Sequence, residues 1–317
     1  MFKIALAPMV DRTDIHFRNF IRMINNDIEL YTEMITTQAI LNGDRARILK
    51  TTKVENPVVL QIATSSLQES IEAAKYIKHT SYDAVNINVG CPSDRVSGHN
   101  MGAYLMSEPE LVRDIAQAVK EYSGKVVTIK NRIGIDGRGI LKNDRKIISY
   151  EELLEFIDIT NVNKYIVHAR IAILKGLSPK ENRSIPPLDY QTVYRLKKDR
   201  PNLMIEINGG IKTMEDIKLH HNYVDSVMIG RAFYDNPMLA NEINLLNGKN
   251  AKNHTEIVKS MFHYVKKLEE NNEKPHHFLR HTLGLFYNTK YSKIWKNIIS
   301  STKATSETIL EFLNKIS

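Results

Sequence analysis

A single cysteine, Cys91, is present in the 317-residue chain. One thiol excludes an internal disulfide, and it excludes any multi-cysteine zinc or iron–sulfur site within one chain. Long hydrophobic runs are missing as well: none approaches the ~20 apolar residues that span a bilayer. The opening stretch MFKIALAPMVDRTD runs directly into strand-like sequence instead of a leader, so a cytoplasmic protein without membrane association is expected. Internal repeats and low-complexity tracts are absent too, which excludes solenoid and disordered classes. What remains is an ordinary globular composition, 42% hydrophobic and 25% charged. The length suits one large α/β unit with a small appendage at a soft prior of roughly 150 residues per domain.

The net charge of +8 is unevenly spread. Residues 249–317 carry 12 Lys/Arg against 6 Asp/Glu, whereas residues 1–248 carry 32 against 30. Five of the eleven histidines also lie in the tail. A polyanionic partner would therefore meet chiefly the C-terminal segment, although such a segment can equally be a solvated helical face.

Along the first ~240 residues, short β-branched apolar runs alternate with longer amphipathic stretches, the pattern of repeated βα units. Eight strands are expected: Lys3–Met9, Ile28–Glu33, Val58–Ile62, Ala84–Asn88, Val126–Asn131, Lys164–His168, Met204–Asn208 and Ser226–Gly230. Helices are expected at Leu67–Lys78, Glu108–Glu121, Tyr150–Ile159, Asp189–Lys198 and Thr213–His220. Eight such units favour a TIM (β/α)8 barrel over a doubly wound open sheet. After Asn236–Pro237 the β pattern stops, and Asn247–Asn253 has linker composition. Ile257, Val258, Met261, Phe262, Val265 and Leu268 then recur at helical spacing. With His277–Phe286, Tyr291–Ser300 and Ser306–Ile316 they predict a small helical bundle beyond a boundary near residue 245.

In such a barrel the C-terminal strand ends build the active site, and here they are rich in polar groups. The first ends in Ala7-Pro8-Met9, the third at Gln61, and the fourth in Asn86-Ile87-Asn88-Val89-Gly90-Cys91-Pro92. The fifth ends around Lys130 and Arg132, the sixth at His168, the seventh at Asn208-Gly209-Gly210 and the eighth at Gly230-Arg231. Glycines after the last two strands let backbone N–H groups approach an anion that Arg231 neutralises, a feature shared by many barrels. Gln61 and Lys130 suit the pyrimidine edge of an isoalloxazine ring, and Lys130 can stabilise negative charge on it. Singly, each is an ordinary structural residue; together they predict one pocket. Cys91 opens the glycine-containing segment Ser93–Gly102, which has the character of an active-site loop. A thiol with an ordinary pKa of roughly 8–9 stays protonated at neutral pH, so it can serve as a general acid.

These segments resemble the tRNA-dihydrouridine synthase family. The likeness covers nearly the whole chain and is most specific at NINVGCPSDRVSGHNMGAYLM (Asn86–Met106). It is supported by APMVDRTD (Ala7–Asp14), VLQIA (Val59–Ala63), TIKNRIGID (Thr128–Asp136), INGGI (Ile207–Ile211) and MIGRAFYDNP (Met228–Pro237). The stretch HARIAILKGLSPKENRSIPPLDY (His168–Tyr190) is similar to the bacterial A-type branch, which reduces D-loop uridines 20 and 20a. The resemblance implies an FMN-binding catalytic barrel over residues 1–245, a helical tRNA-binding domain over 246–317, NADPH (or NADH) as hydride donor, no metal, and a monomer. By motif, Pro8, Met9, Val10, Gln61, Lys130, His168, Asn208, Gly209, Gly210, Gly230 and Arg231 would surround FMN. Cys91 would protonate uridine C5, Asn88 would touch the target nucleotide, and Lys180 and Arg183 would meet tRNA. Lys293 and Lys296 stand where the A-type pattern tends to have arginine, keeping charge without bidentate geometry. Two other readings stay open: a flavin barrel acting on a small pyrimidine, and a non-catalytic RNA-binding barrel.

Overall fold

Eight parallel strands close into a barrel because each is a run of residues that can be buried on both faces. The computed structural model describes residues 2–93, 100–141 and 144–316. The strands are β1 (Lys3–Leu6), β2 (Leu30–Thr36), β3 (Val58–Ala63), β4 (Ala84–Val89), β5 (Val126–Arg132), β6 (Lys164–His168), β7 (Met204–Asn208) and β8 (Ser226–Ile229). They pair in the order β1-β8-β7-β6-β5-β4-β3-β2. A parallel bridge between Ala5 and Glu29 completes the ring, with Leu6 N–H donating to the Glu29 carbonyl at 2.9 Å and Glu29 N–H to that of Ile4 at 3.0 Å. The expected TIM barrel is the observed fold.

Alternation along the strands sorts side chains between two apolar layers. Leu6, Leu60, Ile62, Val85, Ile87, Ile129, Val167 and Ile207 face the surrounding helices. Ala5, Ala7, Tyr31, Val59, Ile166 and Met228 fill the barrel interior. The enclosing helices begin on side-chain caps: Ser66 before Leu67–Ile77, Ser149 before Tyr150–Thr160, Thr213 before Met214–His220 and Asp14 before Ile15–Ile24.

Two strands differ from expectation by more than one residue. β1 stops at Leu6, because Pro8 has no N–H to donate and the chain turns at once, Thr13 N–H bonding the Met9 carbonyl at 3.0 Å. β2 runs on to Thr36 through a register shift between Tyr31 and Met34. The loops after β5 and β6 add a small sheet, Ile135–Asp136, Lys146–Ile147 and Ala172–Ile173, which periodicity could not reveal in two-residue pieces.

The C-terminal region is helical: His254–Glu270, Ser292–Ser300 and Ser306–Ile316 pack around Trp295, Phe286 and Phe312. The expected continuous helix His277–Phe286 is instead a short turn, His276–Leu279, followed by the 3-10 turn Arg280–Thr282. Gly284 explains the break. A Cβ there would lie 2.4 Å from the Asp235 carbonyl oxygen, so this segment is pressed against the loop after β8. The region shares one apolar layer with the barrel helices, Phe278 meeting Phe20 edge-on at 6.1 Å. Among the described residues no helix is long and apolar enough to cross a membrane.

Candidate active site

The last inward-facing residue of each strand lies at one end of the barrel, and this layer is polar where the middle layer is apolar. Register places Gln61 beside Asn86, Asn88 beside Lys130, Arg132 beside His168 and His168 beside Asn208. The amides form a chain across the floor. Asn88 Nδ2 donates to Gln61 Oε1 at 2.9 Å, Gln61 Nε2 to Asn86 Oδ1 at 2.8 Å, and Asn86 Nδ2 to Thr128 Oγ1 at 2.8 Å. Each bond holds its neighbour's rotamer, so the floor is ordered before anything binds.

Asn88 also builds the turn that carries the thiol. Its Oδ1 accepts the N–H groups of Gly90 at 3.2 Å and Cys91 at 2.9 Å. From the other side Arg132 donates to the carbonyls of Gly90 at 3.1 Å, Asn182 at 3.0 Å and Ile171 at 3.2 Å. The guanidinium therefore pins the cysteine turn to the segment preceding Arg183. Burial pushes the Cys91 thiol up, opposed by the Ser93 N–H and by the charges of Arg132, Lys130 and Arg183. The thiol stays protonated at neutral pH while its anion has stabilising partners. Of the segment Ser93–Gly102, residues 94–99 lie outside the described residues.

Lys130 reaches across to Asn208 Oδ1 at 3.1 Å, and Asn208 is oriented by donating Nδ2 to the Met228 carbonyl at 2.8 Å. Enclosure in the barrel and the nearby Arg132 bring Lys130 down to about 7. His168 is held well below its ordinary value by burial and by Arg132 and Lys130, so it is neutral. Its buried Nδ1 has no hydrogen-bond partner among the described residues. Gly209 and Gly210 adopt φ of 112° and 77°, and a Cβ on Gly209 would sit 3.2 Å from His168 Nε2. Tyr190 donates its hydroxyl to the Gly209 carbonyl at 2.8 Å, fixing the turn. Arg170 and Arg183 both sense the charge of Arg231, and Arg183 also senses Arg12 and Cys91. Lys130, Cys91 and Arg231 thus belong to one mouth. No carboxylate pairs with Arg12, Arg132, Arg170, Arg183 or Arg231 among the described residues. A buried nitrogen without a partner, glycine turns and unpaired guanidiniums together suit an anionic, flat heteroaromatic ligand.

The family model described as Dihydrouridine synthase (Dus) matches residues 5–317.

The chain belongs to the dihydrouridine synthase family.

The tRNA-dihydrouridine(20/20a) synthase of Synechocystis sp. is 44% identical over 94% of this chain and 89% of its own length. The protein of the same name from Vibrio parahaemolyticus is 42% identical over 98% and 94%. Among solved structures, the old yellow enzyme homologue from Zymomonas mobilis superposes with a TM-score of 0.52 at 11% identity, covering 80% of this chain and 90% of that one; this likeness concerns the fold.

In this dihydrouridine synthase family member the residues expected around one pocket are brought to one end of the barrel, with Pro8 and Met9 half-buried and Val10 57% exposed on the β1 loop. Gly230 packs 3.4 Å, by its missing Cβ, from Ala7 and 3.6 Å from the Met9 sulfur. Lys180 and Arg183 are exposed beside that mouth on the turn Glu181–Arg183 and its cap. Lys293 and Lys296 are exposed on Ser292–Ser300, opposite buried Trp295; no contact among the described residues joins them to the mouth. Sequence reasoning gave no role to Asn86, Thr128, Arg170 or Tyr190, and it named Arg132 only as a strand end. Period-2 alternation from Asn88 and Lys130 marks Asn86 and Thr128 as inward-facing. Nothing local marks Tyr190 as the brace of Gly209.

Proposed function

We propose that this chain is an FMN-dependent, NADPH-driven (or NADH-driven) tRNA-dihydrouridine synthase acting on D-loop uridines at positions 20 and 20a. The observation that carries the reading is the pairing of a protonated thiol, Cys91, with an unpaired cationic wall of Lys130, Arg132 and Arg183 in one barrel mouth. The names of the relatives support tRNA as the substrate.

The residues fit FMN. Gly209, Gly210, Gly230 and Arg231 would take its phosphate, with Pro8, Met9, Val10, Gln61, Lys130, His168 and Asn208 around the ring. His168 Nδ1, without a protein partner, is available to it. A flavin held by these residues and reduced by a nicotinamide would supply hydride for uridine C6. Cys91 Sγ–H gives its proton to C5 as the C5–C6 π bond is lost, and the thiolate regains a proton from solvent. Ser93 N–H and the surrounding cations offset part of the cost of burying that thiolate. Asn88 spends its oxygen on the cysteine turn and one N–H on Gln61, leaving one N–H for the pyrimidine.

A stacked uridine cannot reach this floor, so it must be turned out of the RNA at a cost of a few kcal/mol. Phosphate contacts from Lys180, Arg183, Lys293 and Lys296 would offset that cost. The proposed division of labour is a catalytic barrel over 1–245 and tRNA binding over 246–317.

The deciding experiment maps dihydrouridine in tRNA from cells lacking the gene, complemented with wild-type or Cys91→Ala copies. Loss at 20 and 20a, restored only by wild type, is expected. Unchanged dihydrouridine would remove the assignment, and reduction of free uracil at a rate matching tRNA would replace it with a small-pyrimidine reductase.

A further inference from the structure

The active-site loop after β1 and the helical region meet at one carboxylate, which catalysis does not use. Asp14 Oδ1 caps helix Ile15–Ile24 by accepting the N–H groups of His16 and Phe17, both at 3.0 Å. Its other oxygen leaves the barrel: Oδ2 accepts from Arg280 Nη2 at 2.9 Å and from His281 Nε2 at 3.0 Å, residues 266 and 267 positions away. With Nε2–H directed to Asp14, His281 Nδ1 accepts the Tyr234 hydroxyl at 3.3 Å. Tyr234 lies on the turn Arg231–Asp235 that begins at the anion-site arginine. Its ring supports the Arg12 guanidinium at 4.4 Å. Arg12 belongs to the loop Met9–Thr13, closed by Met9 N–H donating to Thr13 Oγ1 at 2.9 Å. Arg12, unpaired with any described carboxylate, lies near enough to Arg183 for the two charges to repel.

Four pieces of chain thus converge: the β1 loop, the first barrel helix, the turn after β8 and the Arg280–Thr282 turn of the helical region. His281 is fully buried in this joint, against Phe17 at 5.7 Å and Tyr234 at 5.8 Å. Burial raises Asp14, but the hydrogen bonds it accepts from His281, the Phe17 N–H and Arg280 outweigh it and hold the carboxyl well below the usual range. The pair is therefore ionised on the Asp14 side throughout the physiological range.

We infer that Asp14 is a positioning residue: through His281 and Tyr234 it fixes the helical region relative to the mouth and sets Arg12 on the rim to receive a backbone phosphate next to the extruded base. The inference rests on the proposed tRNA reading. It explains why one side chain would serve two elements so distant in sequence when an exposed cap alone would do.

Asp14→Asn separates the two duties, because asparagine caps a helix as well as aspartate but cannot hold the ion pair. In the full-length FMN-loaded protein, NADPH-dependent bleaching of the flavin should be unchanged. KM for tRNA should rise about tenfold, the equivalent of one charge-assisted bond, with kcat falling less than twofold. Arg12→Leu should raise KM similarly, and Tyr234→Phe, which keeps the ring under Arg12, should raise it less. Hydrogen exchange should quicken at 276–287 and stay slow across Ile15–Ile24. Wild-type KM in Asp14→Asn, unchanged exchange at 276–287, or bleaching that falls in parallel with tRNA turnover would overturn the inference. A wild-type protein that bleaches with NADPH yet leaves tRNA unmodified would instead overturn the proposed function, and the exchange measurement would still judge the joint.

Discussion

The two ends of the barrel interior use charge in opposite ways. At the N-terminal end Lys164 bonds Glu29 at 2.5 Å and Glu206 at 3.3 Å, Ser226 donates to Glu206 at 2.8 Å, and Tyr31 donates to Glu29 at 3.3 Å. Opposite charges meet there, one ammonium serving two carboxylates with Glu206 Oε1 left without a partner among the described residues, and burial of Lys164 is more than offset by Glu206 and Glu29, which raise its affinity for a proton. At the C-terminal end Lys130 and the five arginines have no carboxylate among the described residues, and His168 leaves a buried nitrogen unbonded. The end where opposite charges meet is organised for stability and the end that gathers cations alone for an anionic ligand, since charge held without a counter-charge is costly unless something else completes it.

The largest expected break in this contrast comes from Lys164→Met, which strands two carboxylates. Stability in denaturant titrations should fall by about 3 kcal/mol, the lower end for a broken buried pair because Glu29 is one-third exposed. The residual folded protein should keep its flavin spectrum. A variant that loses flavin without losing stability would erase the distinction between the two ends.

Next in size is Cys91→Ala. Loss of a general acid should slow dihydrouridine formation at least ~100-fold, with thermal stability and NADPH-driven bleaching close to wild type. Comparable losses in both half-reactions would mean that the thiol packs rather than transfers a proton.

Lys130 sharpens the comparison through pH. Its folded value of about 7 lies below the ordinary lysine value of 10.5. An unfolded chain therefore holds more protons between these limits, and this group's contribution makes the ligand-free protein more stable as pH rises from 7 to 10.5. Lys164, raised above 10.5, contributes stability that is complete below 10.5 and is lost only above it, so the base is flat over that window. FMN affinity should weaken as pH climbs through 7. Lys130→Met should bind about tenfold more weakly at pH 6, the worth of one charged hydrogen bond, and show no such slope in titrations from pH 6 to 9.

The smallest effect is expected at the tail. Lys293→Ala or Lys296→Ala should raise KM for tRNA about two- to threefold and reduce the salt slope of binding by about one, leaving bleaching untouched.

Much of the barrel was legible because period-2 burial is a local property: Gln61, Asn88, Lys130 and His168 could be set at strand ends without knowing their neighbours. The glycines after β7 were legible for the same reason, since positive φ is a demand of the backbone itself. Less visible was what those residues touch. Arg132 reads as one more basic strand end, yet it holds three carbonyls from three segments. Tyr190 reads as the first residue of a helix, yet its hydroxyl braces Gly209.

By itself the order of residues determined the eight-unit alternation, the polar character of the strand ends, the isolation of the single thiol and the basic bias of the tail. Those depend on side-chain type and spacing within a few residues. Only the closed tertiary structure decided that Asp14 meets His281, that Gly284 interrupts a helix against Asp235, and which cations lack a carboxylate. Each of these depends on a distance between atoms far apart along the chain, and such distances exist only after the ring has closed and the helices have packed upon it.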